Sequence, residues 1–188
     1  MDQHIADLLA HPKVLETRDH LHHSIAKHDH LLRSVKYSSR FARLLRADLR
    51  TCVRAAMLHD IDSRLGTLTT HGAVAARWAA EQGEPEEVCR AIISHMYPLG
   101  PAPTSREAWV LVLADKAASL GDFKQYLRGL LNGSSQANRR RLELSDPYFR
   151  SRPPRRPRHR LLRRPLLNGQ PLLRRQRASA HRRPEPER

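Results

Sequence analysis

An adjacent histidine and aspartate, His59 and Asp60, close the apolar run Ala55-Ala56-Met57-Leu58, and this placement constrains the fold more than any other feature of the chain. An ionised carboxylate buried without a partner costs several kcal/mol, so such a pair at the end of an apolar helix needs a metal, another cation or water. With His59 set at 0° on a 3.6-residue helix, Cys52, Ala55 and Ala56 fall within about 60° of it, and Arg50 and Arg54 fall on the far side. His59 therefore faces inward. Asp60, turned about 100° from it, still reaches the same pocket. A lone His-Asp pair is otherwise only a helix end or a surface ion pair, so its meaning depends on what the other helices bring to it.

Periodicity and punctuation predict those helices. Residues 2–24 hold a short apolar-periodic piece (Ile5, Leu8, Leu9), read as one or two short helices divided at Pro12, and then His20, His22 and His23, read as solvated or substrate-side. Residues 25–46 form a long amphipathic helix with His30, Ser34, Tyr37, Phe41 and Leu44 in its buried stripe. Leu31, Val35, Ser38 and Ala42 continue the stripe, Lys36, Arg40 and Arg43 lie opposite, and His28 lies at its edge. Asp48 is an N-cap for a helix over 49–60. A Thr-rich loop, 61–70, leads to a helix from His71 to about Gln82, stopped by Gly83. Pro85 suits the start of the next helix, which ends near His95, and the Pro-rich segment 96–103 has no helical option. Ser105 caps a run that is apolar on all sides as far as Asp115 and Lys116, and so is expected to be central. A last amphipathic helix, about 122–131, closes at Gly133. The fold class is all-α, with about six or seven helices.

Charge divides the chain. Of the net +15, residues 134–188 carry +13 (17 Arg, no Lys, 4 acids) and residues 1–133 only +2 (17 basic, 15 acidic). The high pI thus belongs to the tail. The expected organisation is one domain over 1–133 and a disordered Arg/Pro-rich tail over 134–188. From residue 150 on, Arg, Pro, Leu, His and Gln fill 31 of 39 positions. All five have codons beginning with C, the pattern of a GC-rich region read out of frame, and the tail is read as an unselected extension. Its arginines allow non-specific nucleic-acid binding through counterion release, but no aromatic residue follows Phe149 to stack on bases. No apolar run approaches the roughly 18 residues that span a membrane. The polar N-terminus is unlike a signal peptide, and Cys52 and Cys89 lack metal or redox spacing, so a cytoplasmic protein with reduced thiols is expected.

The helices thus offer His30, His59, Asp60, His71, His95 and Asp115, each at an end or on an inner face. Imidazole with carboxylate suits Fe, Mn, Co, Ni or Zn rather than a thiolate zinc site. Their order, with Thr70-His71, Ile92 followed by His95-Met96-Tyr97-Pro98-Leu99, and Asp115-Lys116 followed by Ser119, resembles the HD-domain superfamily of metal-dependent phosphohydrolases over about residues 24–121. The resemblance implies an HD-domain helical bundle that hydrolyses a phosphomonoester or phosphodiester, of nucleotide type or another small phosphorylated substrate, with a metal-bound water. It implies one or two divalent ions (Mn, Fe, Mg, Co, Ni or Zn) held by His30, His59, Asp60 and Asp115, with Asp60 the catalytic, bridging carboxylate. His71 and His95 would complete a second metal site or face the substrate, and Lys116 would lie near its phosphate. His28 is the alternative to His30. The Gly-Lys that often follows the His-Asp pair in relatives is replaced here by Asp62-Ser63-Arg64. The other readings are a non-catalytic ligand-binding domain that keeps the metal cage, and a tail-driven nucleic-acid-binding protein.

Overall fold

Side-chain caps at Asp48 and Ser105 start two of the long helices where the spacing predicts them. The computed structural model describes residues 2–22 and 25–147; the expectations for His23 and for the Arg/Pro-rich stretch from residue 148 onward lie outside these residues. A 3₁₀ turn at Asp2–His4 precedes two five-residue helices, α1 (Ala6–Ala10) and α2 (Pro12–Glu16). Two short strands follow, β1 (Leu21–His22) and β2 (Ile25–Ala26), antiparallel with Leu21 opposite Ala26 and His22 opposite Ile25. The body comprises α3 (Lys27–Leu45), α4 (Leu49–Leu58), a 3₁₀ turn at Ser63–Leu65, α5 (His71–Glu81), α6 (Glu86–Ser94), α7 (Arg106–Leu131) and α8 (Ser134–Ser145). Asp48 Oδ1 accepts from the Thr51 N–H at 2.7 Å to start α4, and Ser105 Oγ accepts from the Ala108 N–H at 3.1 Å to start α7. Gly83 and Gly133, at φ +81° and +74°, end α5 and turn the chain from α7 into α8. The fold is all-α, with eight α-helices among the described residues.

The core lies where α3, α4, α6 and α7 meet, with α5 packed on α6. Leu31, Val35, Val53, Met57, Leu58, Ile92 and Leu111 are completely buried there, each contributing roughly 1.5–3 kcal/mol of burial. Because α3 is flanked by both α4 and α7, its buried face is the strip Leu31, Val35, Ser38 and Ala42. The predicted stripe is displaced accordingly: Leu44 is 75% exposed, and Tyr37 and Phe41 are half-buried.

Three further features differ from expectation. Residues 106–131 form one helix in place of two, and α7 is not central, since Trp109 and Leu113 are 42% and 43% exposed. Arg54 is buried, not solvated: its guanidinium pairs with Asp7 and Glu84 and donates to the His4 carbonyl at 2.8 Å. This clamp holds the N-terminal helices, which are too short to be stable alone. Finally, the ordered domain passes residue 133. Leu142 and Asp146 are buried, the Asp146 carboxylate pairs with the Arg64 guanidinium, and it accepts the Leu21 N–H at 2.8 Å. Residues 134–146, expected to belong to the tail, thus contain a helix and a buried anchor. Pairings that link positions 82 and 125 residues apart leave no periodic trace in the sequence.

Candidate metal centre

Five helices and the hairpin deliver side chains to one cleft of about 390 Å³. The first turns of α3 bring His30. The end of α4 brings His59, as its C-cap, and then Asp60. His71 opens α5, His95 caps α6, Asp115 comes from mid-α7, and His22 comes from β1. Gly66 lets the loop 61–70 close over this site: a Cβ there would stand 2.5 Å from His71 Cα.

The hydrogen bonds settle the tautomers. His59 Nδ1 stands 2.8 Å from the Ala56 carbonyl, His71 Nδ1 2.9 Å from the Thr67 carbonyl, and His95 Nδ1 2.7 Å from the Ile92 carbonyl. His30 Nδ1 stands 2.6 Å from Asp122 Oδ2. Each of these partners only accepts, so each Nδ1 donates, and in the neutral rings each Nε2 carries a bare lone pair. Those lone pairs converge. His71 Nε2 lies 2.9 Å from His95 Nε2, and His30 Nε2 lies 3.4 Å from His59 Nε2. Asp115 Oδ1 stands 3.3 Å from His30 Nε2 and 3.6 Å from His59 Nε2, and Asp60 Oδ1 stands 3.5 Å from His71 Nε2. Lone pairs and carboxylates at these separations repel unless a proton or cation lies among them. The sets His30, His59, Asp115 and His59, Asp60, His95 each hold their donor atoms within 4.8 Å of one another. Inward Nε2 atoms, fixed by outward Nδ1–H donors, fit a divalent ion.

Without a cation among these groups, protons on the imidazoles have to offset the same repulsion. Burial pushes the Asp60 and Asp115 carboxyls up, but the surrounding groups outweigh it and hold both well below the usual range. Those groups are His59 and Lys27 for Asp60, and His30 and His59 for Asp115. Burial, with His59 beside it, pushes His95 down to about 4, so its ring is neutral at pH 7.

All six histidine and aspartate positions of the predicted site line this one cleft, and so does Lys116, whose Nζ lies 3.4 Å from the His95 carbonyl. His28 does not line it, although it is buried. Three contributors lay outside the predicted set. His22 stacks on His30, with ring centroids 4.5 Å apart, and its Nδ1 is 3.3 Å from Asp60 Oδ2. Asp122, paired with Arg33, orients His30. Lys27 is buried and donates to the Asp60 carbonyl at 3.0 Å and to Ser63 Oγ at 2.7 Å. Of these, Asp122 had a sequence signal: it lies seven residues after Asp115, on the same face of one helix.

Among known families, residues 28–120 match the one described as HD domain. Ribonuclease Y of Cutibacterium acnes (strain DSM 16379 / KPA171202) is 34% identical over 76 residues, which cover 39% of this chain and 14% of that protein. The aligned part is thus a small fraction of the relative's length. No solved structure matches the chain.

Proposed function

The chain belongs to the HD-domain superfamily through residues 28–120, a family generally of metal-dependent phosphohydrolases, and from that premise we propose that it hydrolyses a phosphomonoester or phosphodiester. The observation that carries this reading is the convergence of four imidazole Nε2 lone pairs and two carboxylates on one cleft. In the proposed site, His30, His59, Asp60 and Asp115 would hold the first ion. The two oxygens of Asp60 face His71 and His22 on either side of it, so that Asp60, with His71 and His95, would also help to hold a second ion. A bound divalent ion supplies positive charge against the phosphoryl oxygens and acidifies a water for attack.

The protein's own groups do the rest. Asp122 and the three carbonyls keep the imidazoles turned inward. Lys27 ties the backbone at Asp60 to Ser63, and so fixes the start of the loop that roofs the cleft. The Lys116 ammonium lines the cleft where it can receive a phosphate. A cleft of about 390 Å³ suits a small phosphorylated molecule or the end of a chain. Similarity to a ribonuclease adds RNA phosphodiesters to the substrates worth testing.

The test is metal analysis of anaerobically purified protein together with phosphate-release and diesterase panels covering nucleotides, cyclic dinucleotides, sugar phosphates and short RNAs. Turnover that is lost with bound metal in Asp60→Ala is the expected result. Folded, metal-loaded protein that turns over nothing in the panel would overturn the enzyme reading in favour of a binding-only HD domain.

A further inference from the structure

Helix α7 is apolar on two opposite faces, and only one of them meets the core. Its buried residues Leu111, Ala114, Ala118 and Asp122 point at the bundle. On the other side stand Trp109, Leu113, Leu120, Phe123, Leu127, Leu130 and Leu131, exposed by 42%, 43%, 70%, 56%, 45%, 41% and 91%. Together they amount to roughly four fully exposed large side chains, or on the order of 600–800 Å² at roughly 150–200 Å² each. That exceeds the few hundred Å² ordinary on a monomer and approaches the ~800 Å² that one partner brings to a standard interface.

The spacing says what kind of surface covers this face. Residues 109, 113, 116, 120, 123, 127 and 130 follow one another at alternating intervals of four and three, a strict heptad pattern. A 3.5-residue period keeps one seam against another helix, whereas packing on a globular core needs only 3.6. The one polar member, Lys116, turns its ammonium out of the seam toward the His95 carbonyl, at 3.4 Å. The positions flanking the seam, Val110, Val112, Ala117, Ser119, Lys124 and Tyr126, carry a single charge among them. Each copy of this strongly basic chain thus brings only two charges, Lys116 and Lys124, to the seam and its flanks. Beside the seam, Leu45, Arg106, Trp109 and Leu113 line a groove of about 350 Å³, a hole for a partner's side chain.

We propose that α7 is the seam of a two-fold homodimer, with the occupant of its exposed face the same face of a second copy. Such an interface is isologous and closed. Because Lys116 and Ser119 line the metal cleft and lie on or beside the seam, the partner's helix would pass the cleft mouth and help wall it.

The experiment is sedimentation equilibrium of the full chain up to about 100 µM, a range that reads micromolar dissociation constants. The expected mass at high concentration is twice the 21.6 kDa of one chain. Leu120→Glu combined with Leu127→Glu should raise the dissociation constant at least about 100-fold, while far-UV circular dichroism stays unchanged, since both side chains are exposed in the protomer. As a second measurement, the Trp109 emission, isolated by Trp78→Phe, should shift to shorter wavelength as the dimer forms. A chain that remains at 21.6 kDa throughout would overturn the proposal. So would a dimer whose mass and Trp109 emission ignore the two glutamates, because its interface then lies elsewhere.

Discussion

Replacing Asp146 with alanine removes a completely buried carboxylate from a residue that composition alone assigns to the tail. Both of its oxygens meet the Arg64 guanidinium, and Oδ2 also accepts the Leu21 N–H at 2.8 Å. Removing one partner of a buried ion pair costs about 3–5 kcal/mol. The Arg64 side chain is 22% exposed and rehydrates in part, which brings the expected loss to about 2–3 kcal/mol. For a domain of this size that is a fall in Tm of about 4–12 °C. The assay is thermal melting followed by far-UV circular dichroism on metal-stripped wild type and Asp146→Ala, because bound metal would add stability to the folded state alone. His22 follows Leu21 in β1, so loosening this anchor should also weaken metal binding. Melting temperatures within about 1 °C of each other would refute the reasoning and return the domain's end to residue 133.

Asp122→Ala should leave helicity intact but weaken metal binding about 10–100-fold, since His30 loses the acceptor that orients it; a calorimetric titration matching wild type would rule that role out. Metal-free protein should lose stability as pH falls from 6.5 toward 4. The buried His95 titrates near 4 when folded and near 6.5 when unfolded, so the unfolded chain takes up the proton first. The stability is thus complete above 6.5, and up to about 3 kcal/mol is lost below it. His95→Asn should flatten that slope in urea melts, and an unaltered slope would show that other groups carry it. Replacing His71 and His95 together with alanine should lower bound metal from two ions toward one per chain, because their facing Nε2 atoms, 2.9 Å apart, call for a cation. Unchanged metal content with lost turnover would instead make both residues substrate contacts.

Features that depend on neighbours a few residues apart were legible along the chain. Capping by Asp48 and Ser105, breaks at Gly83 and Gly133, and helical period act within a turn or two. They put His30, His59, Asp60, His71, His95 and Asp115 at helix ends or on inner faces, and the folded chain gathers these six around one cleft. The remaining features depend on which surfaces meet. The buried strip of α3 shifted because two helices flank it, and α7 kept one apolar face in solvent because the bundle covers only the other. His22 reached the cleft through a two-residue strand, whose position depends on Asp146, 125 residues after Leu21. The Arg54 clamp and the Lys27 contact with Asp60 likewise join residues 30 to 50 apart. A charge that will be buried by a distant partner looks, along the chain, the same as one that will stay in water. Desolvation by the folded neighbours is what separates the two.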